Sequence, residues 1–171
     1  EGKRAYGRTI PSRTPGKRLT VIRQPIGVVG IITAWNFPGY NPARAWGAAL
    51  AAGCTVVARP SEYTPLTAMI MAEFLEESGL PAGVLNLISG EPDTMGVEML
   101  ENPDLRLISF TGSVRVGKIL MDGASKTMTK LSLELGGNAP VLIFPDANME
   151  MLKQSAVTAN FRNVGQVCLS P

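Results

Sequence analysis

Histidine is absent from the 171-residue sequence, and this absence excludes more chemistry than any other feature of the composition. Ser-His-Asp and Cys-His catalysis need an imidazole within the chain, and histidine-containing zinc sites need one too, so no metal site is expected. Any base must be a carboxylate, a lysine, a tyrosine or a thiolate. Cysteine is scarce: Cys54 and Cys168 are the only two. Two are too few for a disulfide framework, and a working thiol needs a reducing, cytoplasmic setting. Long apolar runs are missing as well. A membrane span takes about 20 apolar residues, whereas the longest run here, Ile26 to Ile32, is of strand length and is broken by Gly27 and Gly30. The basic residues near the start (Lys3, Arg4, Arg8, Arg13, Lys17, Arg18) are scattered rather than clustered. Neither nucleic acid nor a membrane is therefore an expected partner. No signal-peptide pattern is read at Glu1, and a first residue other than Met suggests an internal piece of a longer gene product.

What is present suits a soluble globular α/β protein. Hydrophobic residues make up 45% of the chain and charged residues 18%, with a net charge of +2, enough for one domain with its own core. Residues 1–25 are polar and punctuated by Pro11, Pro15 and Gly16, with an alternating stretch from Arg18 to Arg23. They are expected to form a hairpin arm that packs on another part of the full protein or on another subunit.

From residue 26 the pattern alternates. Strands are expected at Gly27 to Thr33, Thr55 to Ala58, Val84 to Ile88, Leu107 to Phe110, Leu131 to Leu135 and Val141 to Phe144. Helices are expected between them. Asn41 would cap the first, with Pro42 at its first position and Gly53 past its end; Thr64-Pro65 would start the second, closed by Gly79. Asp93 would open a short helix ending before Pro103, Ser113 one running to about Ser125, and Asp146 or Asn148 a last one to about Asn163. Repeated strand–helix–strand units with apolar strands predict a Rossmann-like parallel sheet with helices on both faces. Ligands of such sheets bind beyond the carboxyl ends of the strands. The loops that matter are those at Asn36, Pro60 to Glu62, Gly90, Thr111 to Ser113 and Gly136 to Asn138.

Four places carry chemistry. The G-x-G-x-x-G fingerprint is absent after the first strand; only a looser glycine turn, Phe110-Thr111-Gly112-Ser113-Val114-Arg115-Val116-Gly117, follows a strand and opens a helix. Free N–H groups there favour a phosphate, although the same pattern serves as a plain turn with a serine cap. Cys54, between Gly53 and a strand, reads as a buried, inert residue. Cys168, in Gly165-Gln166-Val167-Cys168, sits on a polar, flexible bend that suits a nucleophilic thiolate. Glu134 lies between leucines in a short strand followed by two glycines. A carboxylate kept from full solvation there suits general-base work, the alternative being an exposed strand residue. Asn36, just past the first strand, offers an amide N–H to an oxyanion, or else serves as an ordinary turn residue.

Asn36-Phe37-Pro38, Pro60-Ser61-Glu62, Phe110-Thr111-Gly112-Ser113, Glu134-Leu135-Gly136-Gly137 and Gly165-Gln166-Val167-Cys168 resemble, in order and spacing, the motif series of the NAD(P)-dependent aldehyde dehydrogenase superfamily. The segment Tyr6 to Val29 looks like that family's oligomerisation strands leading into its first nucleotide-binding strand. The resemblance implies residues 1–25 as oligomerisation strands, 26–163 as the cofactor-binding domain and 164–171 as the start of a catalytic domain. It implies Cys168 as nucleophile, Asn36 with the Cys168 N–H as oxyanion hole, and Glu134 as the base that hydrolyses a thioester. An acylating enzyme, which passes the thioester to coenzyme A, would not need Glu134. A purely nucleotide-binding module would keep Ser113 and Glu62 without needing Cys168, Glu134 and Asn36 together.

For the cofactor the resemblance implies Ser113 with its helix start at the pyrophosphate, Arg59 and Glu62 at the adenosine ribose, and Thr33, Trp35, Ser61, Gly112, Val116, Leu135 and Gly136 as further cofactor-binding positions. Two positions depart from the family. Arg59 stands where a lysine is usual, and Ala45 where many relatives carry a lysine. Arg can reach a 2′-phosphate while Glu62 repels one, so NAD is expected over NADP. Arg44 and Arg162 match the arginines that bind the substrate carboxylate in succinate-semialdehyde dehydrogenases, implying an ω-carboxylated aldehyde such as succinate or 2-oxoglutarate semialdehyde. A homodimer or homotetramer is expected of the full-length enzyme, and no useful activity of this piece alone.

Overall fold

The computed structural model describes residues 2–170. Glu1 and Pro171, the outer ends of the expected arm and of the expected catalytic start, lie outside them. After a 3-10 turn at Gly2–Arg4, β1 (Arg8–Ile10) pairs antiparallel with β2 (Leu19–Val21), Thr9 opposite Thr20. Every residue of the two strands is exposed, so the pairing rests on the ladder alone. This is the hairpin arm expected from the sequence.

The rest is one parallel sheet in the order β5-β4-β3-β6-β7. Its strands are β3 (Val28–Ile32), β4 (Thr55–Arg59), β5 (Leu85–Leu87), β6 (Leu105–Gly112) and β7 (Lys130–Leu135). The helices are α1 (Tyr40–Ala51), α2 (Pro65–Glu77), α3 (Pro92–Glu101), α4 (Val114–Thr127) and α5 (Met149–Phe161). Strand side chains alternate between two cores. Val29, Ile31, Val56 and Ala58 meet Trp46 of α1 and Ala68 of α2 on one face. On the other, Leu105, Ile108 and Phe110 meet Met99 and Leu100 of α3 and Leu120 and Ala124 of α4, with Ile32 and Val57 packed against them. Both faces are thus covered, as a parallel sheet requires.

Several boundaries follow the turn chemistry. Thr64 and Pro65 start α2, Ser113 caps α4 by accepting from the Val116 N–H, and Asn148 caps α5 by accepting from Glu150 and Met151. Gly53 closes α1 in the left-handed region, at φ 78. Three expectations fail. Helix α3 starts at Pro92 with Glu91 as its cap, so Asp93 lies inside its first turn. Helix α1 starts at Tyr40 with Gly39 as its cap, so Asn41 lies inside the first turn, its side chain bonded elsewhere. Val141 to Phe144 is not a strand: the segment is irregular and its four side chains are exposed. Among the described residues no strand pairs with it, and an apolar run without a partner strand has no hydrogen bonds to hold it extended.

Candidate active site

The strand order reverses between β3 and β6. The chain leaves β3 toward β4 on one side and β6 toward β7 on the other, so the loops beyond the two adjacent strands diverge and leave a crevice. A cleft of about 1050 Å³ opens there, and every residue singled out in the sequence for catalysis, cofactor or substrate lines it.

The loop after β3 is held along its length. Three consecutive carbonyls each accept a side-chain hydrogen bond from a different place in the fold: Ala34 from Asn41 of α1 (3.3 Å), Trp35 from Thr64 at the start of α2 (3.3 Å), and Asn36 from Asn163 beyond α5 (2.9 Å). In return the Asn36 amide donates to the Gln166 carbonyl at 2.9 Å. The Asn36 loop and the Cys168 loop are therefore tied in both directions. The second loop reaches this position through a left-handed bend, with Asn163 at φ 48, Val164 at φ 58 and Gly165 at φ 76. For β-branched Val164 such a backbone costs about 1–3 kcal/mol and persists only where its surroundings impose it. The cross-links to Asn36 are part of that constraint. Cys168 emerges exposed at the cleft, while Cys54 is buried in the core as its inert reading requires.

Glu134 differs from expectation. Leu131, Leu133 and Leu135 turn one way along β7, toward the core that α4 covers, and Glu134 turns the other way. Its side chain is 57% exposed, so it is a solvated strand residue in this chain. It is not bare: Arg44 Nη1 approaches its Oε1 at 3.3 Å, while Arg44 Nη2 donates to Thr111 Oγ1 at 3.1 Å. Arg44 also stacks on Tyr40, 5.9 Å from its ring centre. Arg162 lies over the Phe37 ring at 5.4 Å, and no acidic partner of it is found among the described residues. Ala45 packs against the core, so it adds no polar group beside Glu134.

At the other end of the cleft, Gly112 leads into Ser113 and α4. A Cβ on Gly112 would stand 2.4 Å from the Phe110 ring, which is itself core. Gly117, one turn into α4, lies so close to β7 that a Cβ would meet Leu135 Cδ2 at 2.9 Å. The first glycine thus bares the backbone at the helix start, and the second seats the helix on the sheet. Opposite, Thr33 and Ser61 are buried, and Arg59 is buried with its guanidinium 2.6 Å from Glu62. The Glu62 carboxyl is held below its ordinary value, chiefly by a backbone hydrogen bond and then by the Arg59 charge, with burial opposing. These features suit a dinucleotide: free N–H groups at a helix start for phosphates, an acid for ribose hydroxyls, and Trp35, Val116, Leu135 and Gly136 as walls.

Three further lining residues have roles that sequence reasoning did not assign. Thr111 and Tyr40 hold Arg44, and no local pattern marks that role. Asn41 was legible only as a helix cap, yet its amide reaches back to Ala34 and to Asn36 Oδ1 at 3.2 Å.

Strand order, crossover helices on both faces and a cleft at the reversal define a doubly wound, Rossmann-like α/β domain. The chain belongs to the aldehyde dehydrogenase family, whose model matches residues 1–171. It is similar to succinate-semialdehyde dehydrogenase (NADP(+)) of Escherichia coli strain K12, with 48% identity over 169 residues, 99% of this chain and 35% of that protein. It is also similar to glutarate-semialdehyde dehydrogenase of Pseudomonas putida, with 47% identity over 169 residues, again 99% of this chain and 35% of the other. Among solved structures, succinate-semialdehyde dehydrogenase from Burkholderia pseudomallei superposes with a TM-score of 0.93 at 46% identity, covering 99% of this chain and 35% of that one. The chain therefore spans little more than a third of the proteins it matches.

Proposed function

We propose that a full-length enzyme containing this chain oxidises an ω-carboxylated semialdehyde, such as that of succinate, to the acid. The observation that carries this reading is the convergence of Cys168, Asn36, Glu134, Arg44 and Arg162 on one cleft whose far end suits a dinucleotide. A nicotinamide dinucleotide, when bound, supplies the hydride acceptor. The Cys168 thiolate adds to the aldehyde carbon, and the new oxyanion is met by the Asn36 amide and the Cys168 N–H. Loss of hydride from the same carbon leaves a thioester on Cys168. Glu134 then takes a proton from water as its oxygen attacks, so that the C–S bond breaks, the acid leaves and the thiolate returns. The Arg44 guanidinium must exchange part of its contact with Glu134 for the substrate carboxylate. Arg162, with no acid partner among the described residues, is the freer of the two cations. The relatives named for succinate and glutarate semialdehydes support a carboxylated substrate.

NAD is proposed over NADP because Glu62 occupies Arg59 at 2.6 Å and repels an added phosphate. The Escherichia coli relative is named for NADP(+), so a tenfold or larger preference for NADP would overturn this choice. Residues 1–25 are proposed as oligomerisation strands of a dimer or tetramer, 26–163 as the cofactor domain and 164–171 as the start of the catalytic domain. A reducing, cytoplasmic setting is proposed, because the exposed Cys168 thiol must stay reduced to act as a nucleophile. Among the described residues no helix is long and apolar enough to cross a membrane.

The test is steady-state kinetics of the full-length enzyme on a panel of aldehydes. Cys168→Ser is expected to abolish turnover, and Asn36→Ala to lower kcat by about 10²–10³-fold, the cost of one oxyanion donor. Arg162→Met is expected to raise KM for carboxylated aldehydes and leave uncharged ones unaffected. Equal turnover of uncharged and carboxylated aldehydes by the wild type would defeat the substrate assignment.

A further inference from the structure

We infer that Asn41 is a positioning residue that decides which end of the Asn36 amide faces the Cys168 loop. This deepens the reading of Asn36 as an oxyanion donor and rests on it. A carboxamide has two ends of nearly equal size, so packing alone does not choose between the two orientations that a 180° flip exchanges; hydrogen bonds must choose. Asn41 is buried, with 5% of its surface exposed. Both hydrogens of its Nδ2 are committed, to the Ala34 carbonyl at 3.3 Å and to Asn36 Oδ1 at 3.2 Å. With Oδ1 of Asn36 so engaged, Nδ2 is the end presented to the Gln166 carbonyl at 2.9 Å, on the loop of Cys168. A flipped amide would set oxygen against the Gln166 oxygen and nitrogen against the Asn41 nitrogen.

Gln166 selects the same end, but it belongs to the loop that carries the nucleophile, which enters through the left-handed bend at residues 163–165. Asn41 belongs to α1, which is seated on the sheet by buried Pro42 and Trp46, and its own N–H donates to the Phe37 carbonyl at 3.0 Å. The fixed end of the amide is therefore the one held by Asn41. When an oxyanion takes a hydrogen of Asn36 Nδ2, the Asn41 bond at the opposite end keeps the group aimed.

The test exploits shape without polarity. Asn41→Asp keeps the outline but turns the donor into an acceptor, which draws Asn36 Nδ2 toward α1 and leaves its oxygen facing the developing oxyanion. In the full-length enzyme Asn41→Asp is expected to lower kcat about 10²-fold, as loss of one oxyanion donor does. Asn41→Ala, which only frees the amide, is expected to cost about tenfold less than that, with KM for the aldehyde little changed in both. In an Asn36→Ala background neither change should matter further, because interacting residues fail to add. Equal losses with and without Asn36 would mean a general structural role and would overturn the proposal.

A crystal structure of the Asn41→Asp variant gives a readout that needs no activity. The Asn36 side chain is expected to lose its 2.9 Å contact with the Gln166 carbonyl; a contact unchanged in length would overturn the proposal. Should the wild-type enzyme oxidise no aldehyde, the proposed function falls while this contact still decides the positioning role. Should Asn41→Asp fail to fold, Asn41→Ala in the two backgrounds decides it.

Discussion

Glu62 shows how one side chain links the cofactor end of the cleft to stability. Its carboxyl ionises more readily in the fold than in an unfolded chain, where 4.5 is ordinary, because a backbone hydrogen bond and then Arg59 favour the charged form. A lowered value in the folded state means a contribution that is complete above the ordinary range and fades as pH falls through it. The side chain is 47% exposed, so solvent screens the pair and the contribution is small. Glu62→Gln is expected to flatten the dependence of unfolding on pH below about 4.5 and to change little near neutrality. Thermal melts of the full-length enzyme across pH 3–7 measure this. The same substitution releases the buried Arg59 guanidinium and removes a negative charge, so the ratio of kcat/KM for NADP over NAD should rise by about tenfold or more. An unchanged ratio would remove Glu62 from cofactor choice. The residue scale is also where a sequence misleads most. Glu134 between two leucines suggests burial, yet alternation along β7 sends it to the open face. That outcome is the exposed-strand alternative, which the two-residue spacing of Leu131, Leu133 and Leu135 already allowed.

At the scale of elements, what could be read in advance was whatever is decided within a few residues. Ser113 and Asn148 mark helix starts because the free N–H groups of the first turn are the partners their side chains need, Pro65 marks one because the first helical position has no use for an N–H, and Gly53 and Gly79 mark ends because only a left-handed residue closes those turns. Parallel strands were legible as apolar runs because both faces are covered. Two things were not legible. Asn41 had the chemistry of a cap but found better partners in the preceding loop. Val141 to Phe144 had the composition of a strand without a strand to pair with among the described residues. The gathering of the site itself was legible only because the loops past parallel strands all lie at one edge of the sheet; the ties that hold Arg44 and Asn36 were not. The turn between β6 and α4 offers a direct check. Gly112→Ala would push a methyl into the Phe110 ring, which is core and cannot swing aside. Since Gly112 precedes the helix, no gain in helix propensity offsets this. The expected cost is about 1–3 kcal/mol in denaturant unfolding, together with a raised KM for the dinucleotide, because the backbone at the helix start shifts with the ring. A stable variant with unaltered cofactor affinity would show that close approach at this glycine is dispensable.

Across the whole molecule, the two cores sit under α1 to α4, and α5 stands outside them: none of its residues is buried. Phe161 is 73% exposed, Leu169 74% and Leu142 79%, and the irregular run through Phe144 adds more apolar surface on the same stretch of chain. Monomeric proteins rarely leave so many large apolar side chains in water unless another surface covers them. The matched relatives are nearly three times as long as this chain, which accounts for 35% of each. The remaining portion of such an enzyme is expected to cover residues 141–170 and to offer Val141 to Phe144 a strand to pair with. The 171-residue chain alone is then expected to bind an apolar dye, to aggregate without a defined size as its concentration rises, and to form no NAD(P)H from any aldehyde, whereas the full-length enzyme is expected to bind no such dye, to form one defined oligomer and to form NAD(P)H from its aldehyde. Limited proteolysis should separate the parts. Cleavage is expected first within 137–148 and around the bend at 163–165, where backbone hydrogen bonds are few, while the five-stranded sheet with α1 to α4 resists. The hairpin arm should also be cut early, since both of its strands are exposed. A monodisperse, dye-negative chain that is cut in the sheet before it is cut after residue 137 would contradict this division, because the segment would then be finding its partners within the chain itself.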